Sequence, residues 1–204
     1  MNWTPSHAIH DSYFDTNINY ERLAELAKAS RGIVATVQPL ATDAAITTFR
    51  AGGNAVDTAV SAALTLGVVD SHNSGLGGGC FILIRIPDGR LIAIDGRETA
   101  PTAATRDMYL RNGTVNPQLS LTGPLASGVP SALLAYEKAV TEHGRLPLAQ
   151  SLRAAAQIAK DGFAVDRIFA HNLARTVTVM RRFSAARAVY IKENGQPYGE
   201  GEIL

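Results

Sequence analysis

The sequence predicts an α+β protein, a short antiparallel sheet covered by helical layers on each side. Three observations carry that expectation. Residues 55–69, "AVDTAVSAALTLGVV", are apolar or small nearly all the way round, as in a helix buried on more than one side. Residues 81–86 and 91–95 are two apolar runs separated by Asp88-Gly89, a strong hairpin signal. Neither run alternates, so both strands are expected to be buried on both faces. From Pro130 onward, three long segments repeat apolar residues at helical spacing.

The elements follow in order. Residues 1–31 read as an extended lead-in with one short helix, "NYERLAELAKAS". "GIVATV", residues 32–37, reads as a short strand. Pro39 opens a helix at its favoured first-turn position, and Gly52-Gly53 ends it. Asn54 can cap the next helix, with Asp57 in its first turn. "GLGGG", residues 75–79, forms a loop leading into the hairpin. Pro130 opens "SALLAYEKAVTEH", closed by Gly144. Pro147 opens "LAQSLRAAAQIAKD", closed by Gly162, with Leu148, Leu152, Ala155 and Ala159 on its inner face. Asp166 caps a third helix reaching about Arg182, with Phe169, Leu173 and Met180 inward. The last residues, from "RAVYIKENG" on, read as a strand and an Asn-Gly turn, with no closing element after them.

Composition narrows the function classes. The chain has 204 residues, 46% hydrophobic and 18% charged, enough apolar material for a substantial core. Net charge is +1 and the basic residues are scattered, so neither nucleic acid nor an acidic membrane surface is an expected partner. Arg181-Arg182, the densest basic pair, fits a solvated helix face. No run is long and apolar enough for a membrane span, and residues 1–15 lack a signal-peptide pattern. Cys80, the one cysteine, sits in "CFILI" and reads as a small buried residue rather than a reactive thiol.

Most catalytic patterns are missing. The five histidines form no zinc-protease spacing, and no metal or other cofactor is expected. There is no G-x-S-x-G elbow. "GLGGG" follows a helix and precedes a strand, the reverse of a phosphate-binding glycine loop, so no nucleotide is expected there. What remains is "IAIDGRETAP", where an apolar strand ends in Asp95, Gly96, Arg97 and Glu98. A guanidinium offers a planar fork of donors that matches a carboxylate. A fixed cation there suits a carboxylate ligand, but a structural ion pair or a solvated turn suits the same residues.

These residues also carry a family signature. A-G-G-N-A-V-D (51–57), G-x-G-G-G-x-F (75–81), D-x-R-E-x-A-P (95–101) and G-V-P (128–130) together resemble the large-subunit half of γ-glutamyltranspeptidases, and the likeness covers residues 31–204. The resemblance implies an N-terminal-nucleophile hydrolase fold, two stacked sheets between helical layers (αββα), here an incomplete portion of it. It implies a proenzyme that cuts itself into large and small subunits. The new N-terminal threonine of the small subunit attacks γ-glutamyl amides such as glutathione and passes the acyl group to water or an amine. It places the substrate's α-carboxylate on Arg97, with Glu98 and Asp95 supporting the site. It also implies a periplasmic or secreted location, which the missing signal pattern does not echo.

The threonine, the acidic residue for the substrate amine and the oxyanion donors fall beyond Leu204 in the family pattern. No catalytic residue is therefore expected within these residues. Residues 32–204 are expected to be a large-subunit portion that needs the small subunit, or that pairs with a second copy through open strand edges. Two alternatives stand beside a glutathione hydrolase. One is a related amide hydrolase, a cephalosporin-type acylase or a cleaver of γ-linked polyglutamate. The other is a non-catalytic scaffold.

Overall fold

The computed structural model describes residues 32–204, and the short helix expected in the lead-in lies outside them. Helix α1 (Pro39–Arg50) begins at a proline, which loses nothing by lacking an N–H in the first turn. Gln38 caps it through its side-chain oxygen, and Gly52 turns the chain away with a φ of 96°. Helix α2 (Ala55–Val69) starts with a capping box: Asn54 accepts from the Val56 and Asp57 amides, and Asp57 accepts from the Asn54 amide. Strand β1 (Cys80–Arg85) pairs antiparallel with β2 (Leu91–Gly96), in a register that sets Cys80 opposite Gly96. Gly89, with a φ of 93°, makes the turn, and Asp88 holds the Arg90 amide at 3.0 Å.

Beyond the hairpin come a two-residue ribbon, β3 (Leu110–Arg111) and β4 (Thr114–Val115), then the short helix α3 (Gln118–Leu121). The long helices α4 (Ala132–His143), α5 (Leu148–Asp161) and α6 (Arg167–Met180) follow, then α7 (Ser184–Tyr190). One core joins Val60 and Leu64 of α2, Ile84 and Ile94 of the hairpin, Ala135, Ala139 and Val140 of α4, and Ala155 of α5. A second gathers Val69, Phe163, Val165, Phe169 and Leu173. The small residues of α2 and α4 let these helices approach closely, so one face of the hairpin is sealed.

Several expectations need correction. Residues 32–37 form no strand, and Ile33 and Val37 are exposed. A strand needs a neighbour for its ladder, and β1 and β2 pair only with each other among the described residues. The hairpin is not buried on both faces: Phe81, Leu83 and Leu91 are 67%, 79% and 71% exposed. No helix of the described unit covers that side, so an uncovered apolar face is left where a second layer was expected. Cys80 is only partly buried. On α5, Leu148, Leu152 and Ala155 face the core as expected, but Ala159 is exposed, while Ser151 is buried and Ile158 packs on the second core.

The expected strand near residue 190 is mostly α7. Its run "SAARAVY" is alanine-rich, and helix propensity prevails while Tyr190 packs into the second core. The Asn-Gly turn does form, with Gly195 at φ 77° and a bridge from Ile191 to Pro197. A closing element exists as well. Leu204 and Phe163 exchange backbone hydrogen bonds of 3.0 and 3.1 Å, and the Val165 amide donates to Glu202 at 2.9 Å. None of the helices described is long and apolar enough to cross a membrane.

Candidate functional site

Strand β2 ends at Gly96, so Arg97 and Glu98 leave the sheet at its last rung. Asp95 accepts the Arg97 amide at 2.9 Å, which bends the chain just after the strand. The Arg97 side chain is 71% exposed, and its Nε lies 3.2 Å from Glu98 Oε2. Its terminal guanidinium nitrogens bond no described residue. The sequence offered either a ligand-binding cation or a structural ion pair. The geometry shows the ion pair on one edge of the guanidinium, while the outer edge bonds no described residue.

Glu98 is far more enclosed, with its side chain 30% exposed. It is hemmed in by three glycines. A Cβ added to Gly78 would lie 3.1 Å from Glu98 Oε1, one on Gly79 2.8 Å from Oε2, and one on Gly128 2.8 Å from Glu98 Cβ. The glycine loop is therefore small because Glu98 and the end of β2 pass against it. The helix N-terminal amides that reach this loop, those of Ser131 and Ala132, are both spent on the Gly78 carbonyl at 3.2 and 3.1 Å. They have no donor left for a phosphate. Gly79→Ala is expected to displace Glu98 and the Gly96 carbonyl, lowering stability by about 1–3 kcal/mol through overpacking. Urea unfolding of the variant measures this, and an unchanged midpoint would show that the loop gives way.

The neighbouring segments complete the frame. The Val129 amide donates to the Thr99 carbonyl at 2.8 Å, so residues 97–99 run beside residues 129–131. Ser131 Oγ lies 2.8 Å from the Gly96 carbonyl and 2.9 Å from that of Arg97. The sequence suggested neither Ser131 nor the fit of Gly79 and Gly128 around Glu98. The one available signal was G-V-P followed by serine, but a serine at a helix start reads as an ordinary cap.

A cavity of about 560 Å³ opens beside this frame, lined by the glycine loop, His72, Cys80, Glu98 and Tyr136. Arg97 is not part of its lining and is linked to it through its ion pair with Glu98. A second cavity of about 360 Å³ lies between α2 and β1, and Cys80 and Tyr136 line both. Burial pushes up both the Cys80 thiol and the Tyr136 phenol, so neither is an ionised nucleophile at neutral pH. Among the described residues no group of three His, Cys, Asp or Glu side chains is placed to hold a metal. Among the described residues the arrangement offers a cation paired with a carboxylate that lines the cleft, and neither Cys80 nor Tyr136 is an activated nucleophile.

Comparison with known proteins fits this frame. The sequence profile of the family Gamma-glutamyltranspeptidase matches residues 41–204. The glutathione hydrolase proenzyme of Escherichia coli (strain K12) is 38% identical over 179 residues, which is 87% of this chain and 31% of that protein. An acylase, the ACY 1 proenzyme of Pseudomonas sp. (strain V22), is 34% identical, covering 87% of this chain and 33% of that protein. The crystal structure of Helicobacter pylori γ-glutamyltranspeptidase superposes with a TM-score of 0.84 at 31% identity, covering 88% of this chain and 52% of that one. The chain thus spans about a third of the length of these curated relatives and about half of the solved chain. The hairpin and its helices are that portion of an N-terminal-nucleophile hydrolase fold, and the chain belongs to the γ-glutamyltranspeptidase family.

Proposed function

We propose that residues 32–204 are the substrate-anchoring part of an enzyme that cleaves γ-glutamyl amides, with Arg97 gripping the α-carboxylate. The supporting observation is the half-engaged guanidinium at the end of β2: Glu98, which lines the cleft, holds one edge, and the other bonds no described residue. A cation held on one side loses little freedom when it meets a carboxylate. Asp95 and Glu98 support the site, one by turning the backbone and one by bracing the side chain.

The nucleophile, an N-terminal threonine, comes from a polypeptide outside these 204 residues, whose strands cover the open face of Phe81, Leu83 and Leu91. The acyl-enzyme formed there passes to water or an amine. The test is a chromogenic γ-glutamyl anilide assay on the 204-residue chain, alone and then with the polypeptide that follows it in the gene. No turnover alone and turnover on mixing are expected. Steady turnover by the chain alone would place the nucleophile within it.

A second reading has its own support in the 34% identity to an acylase. A carboxylate anchor would also hold a dicarboxylic acyl group without an amine. Glutaryl anilide separates the two: faster cleavage of the glutaryl than of the γ-glutamyl compound favours the acylase.

A further inference from the structure

We propose that Ser131 is a positioning residue for Arg97. Ser131 stands at the N-cap of α4, where a hydroxyl would normally accept from an amide of the first turn. It makes no such bond. Its Oγ instead lies 2.8 Å from the Gly96 carbonyl and 2.9 Å from the Arg97 carbonyl, in position to donate to either. Its own amide meets the Gly78 carbonyl at 3.2 Å. One residue thus ties together the end of β2, the backbone of Arg97, the glycine loop and the start of α4. Forgoing its cap, the serine shares its single O–H between the two carbonyls that flank the Arg97 Cα and so sets the direction in which the guanidinium leaves the chain. Glu98 fixes the far end of that side chain, and Ser131 fixes its root. The inference rests on the reading of Arg97 as a carboxylate anchor.

Two measurements test it. In the 204-residue chain, the Arg97 Nε–H signal is followed by NMR for the parent, Ser131→Ala and Ser131→Thr. Solvent exchange about threefold faster in the alanine variant, restored by threonine, is expected when one hydroxyl hydrogen bond is removed and replaced. In the assembly that turns over γ-glutamyl anilide, Ser131→Ala should raise KM about 3- to 10-fold with kcat nearly unchanged. For 4-aminobutyryl anilide, the same acyl chain without the α-carboxylate, KM should stay as in the parent. Arg97→Ala is run alongside. If it leaves the preference for the α-carboxylate intact, the anchor reading fails. If it removes that preference while Ser131→Ala does not weaken it, only the inference about Ser131 fails. An equal loss on both substrates, or no rescue by threonine, also overturns it, because a merely structural bond would act that way. If the alanine variant does not fold, Ser131→Cys keeps the volume with a much weaker donor and supplies the same comparison.

Discussion

Arg97→Lys is expected to lower kcat/KM for γ-glutamyl anilide about 10- to 100-fold in the active assembly while leaving the melting temperature nearly unchanged. The lost charge-assisted contact is worth roughly 1.5–3 kcal/mol, which sets that range. Lysine keeps the charge but not the fork. Arg97 Nε already faces Glu98, so only a second, parallel set of N–H groups can serve a ligand at the same time. A lysine ammonium would have to choose between Glu98 and the substrate. Stability should hardly move, because the side chain is 71% exposed and exposed ion pairs contribute about 0–1 kcal/mol. The loss should shrink for 4-aminobutyryl anilide. A sharp fall in melting temperature with unaltered kinetics would make Arg97 a structural residue and sink the functional reading.

Asp57→Ala is expected to destabilise the chain by roughly 3–4 kcal/mol, read from urea unfolding, without acting on the site directly. Asp57 is 1% exposed. Its carboxylate accepts from the Asn54 amide at 2.8 Å, the Arg145 amide at 2.9 and 3.1 Å, and the Leu146 amide at 3.2 Å. It therefore caps its own helix and also pins the connection between α4 and α5. Gly144 is pressed so closely on Asp57 that a Cβ there would collide with the carboxylate. Alanine would leave three amides without their acceptor, which is where most of the cost arises. Asparagine keeps one acceptor oxygen but turns an NH₂ group toward those donors, so it should recover only part of the loss. A change below about 1 kcal/mol would mean that water replaces the carboxylate.

Asp57 also marks the limit of what the sequence could tell. Its place in the first turn of α2 was legible, because Asn54 followed by an acid three residues later is a local pattern. Its grip on residues 145 and 146 was not, since that contact joins positions 88 and 89 residues apart. The same division runs through the fold. Helix starts at Pro39 and Asn54, helix ends at Gly144 and Gly162, and the hairpin turn at Gly89 are decided within a few residues, and all could be read. The supposed strand at residues 32–37 and the exposed face of Phe81 and Leu83 depend on what lies alongside, which no local pattern states. At the site, Arg97 stood out as a cation at a strand end. Ser131 was hidden because the same serine would have served equally well as a plain cap.

If a further polypeptide covers the open face of the hairpin, as proposed above, stability becomes a property of concentration. Phe81, Leu83 and Leu91 stand in solvent in the chain by itself. A polypeptide that covered them would bind the folded form and not the unfolded one, so it would add RT ln(1 + [L]/Kd), about 2.7 kcal/mol at a hundredfold excess over Kd. A melting curve of the chain alone then reports a lower bound. The curve should climb as the partner is titrated in, and how long the chain survives in a cell would follow how much partner is made beside it.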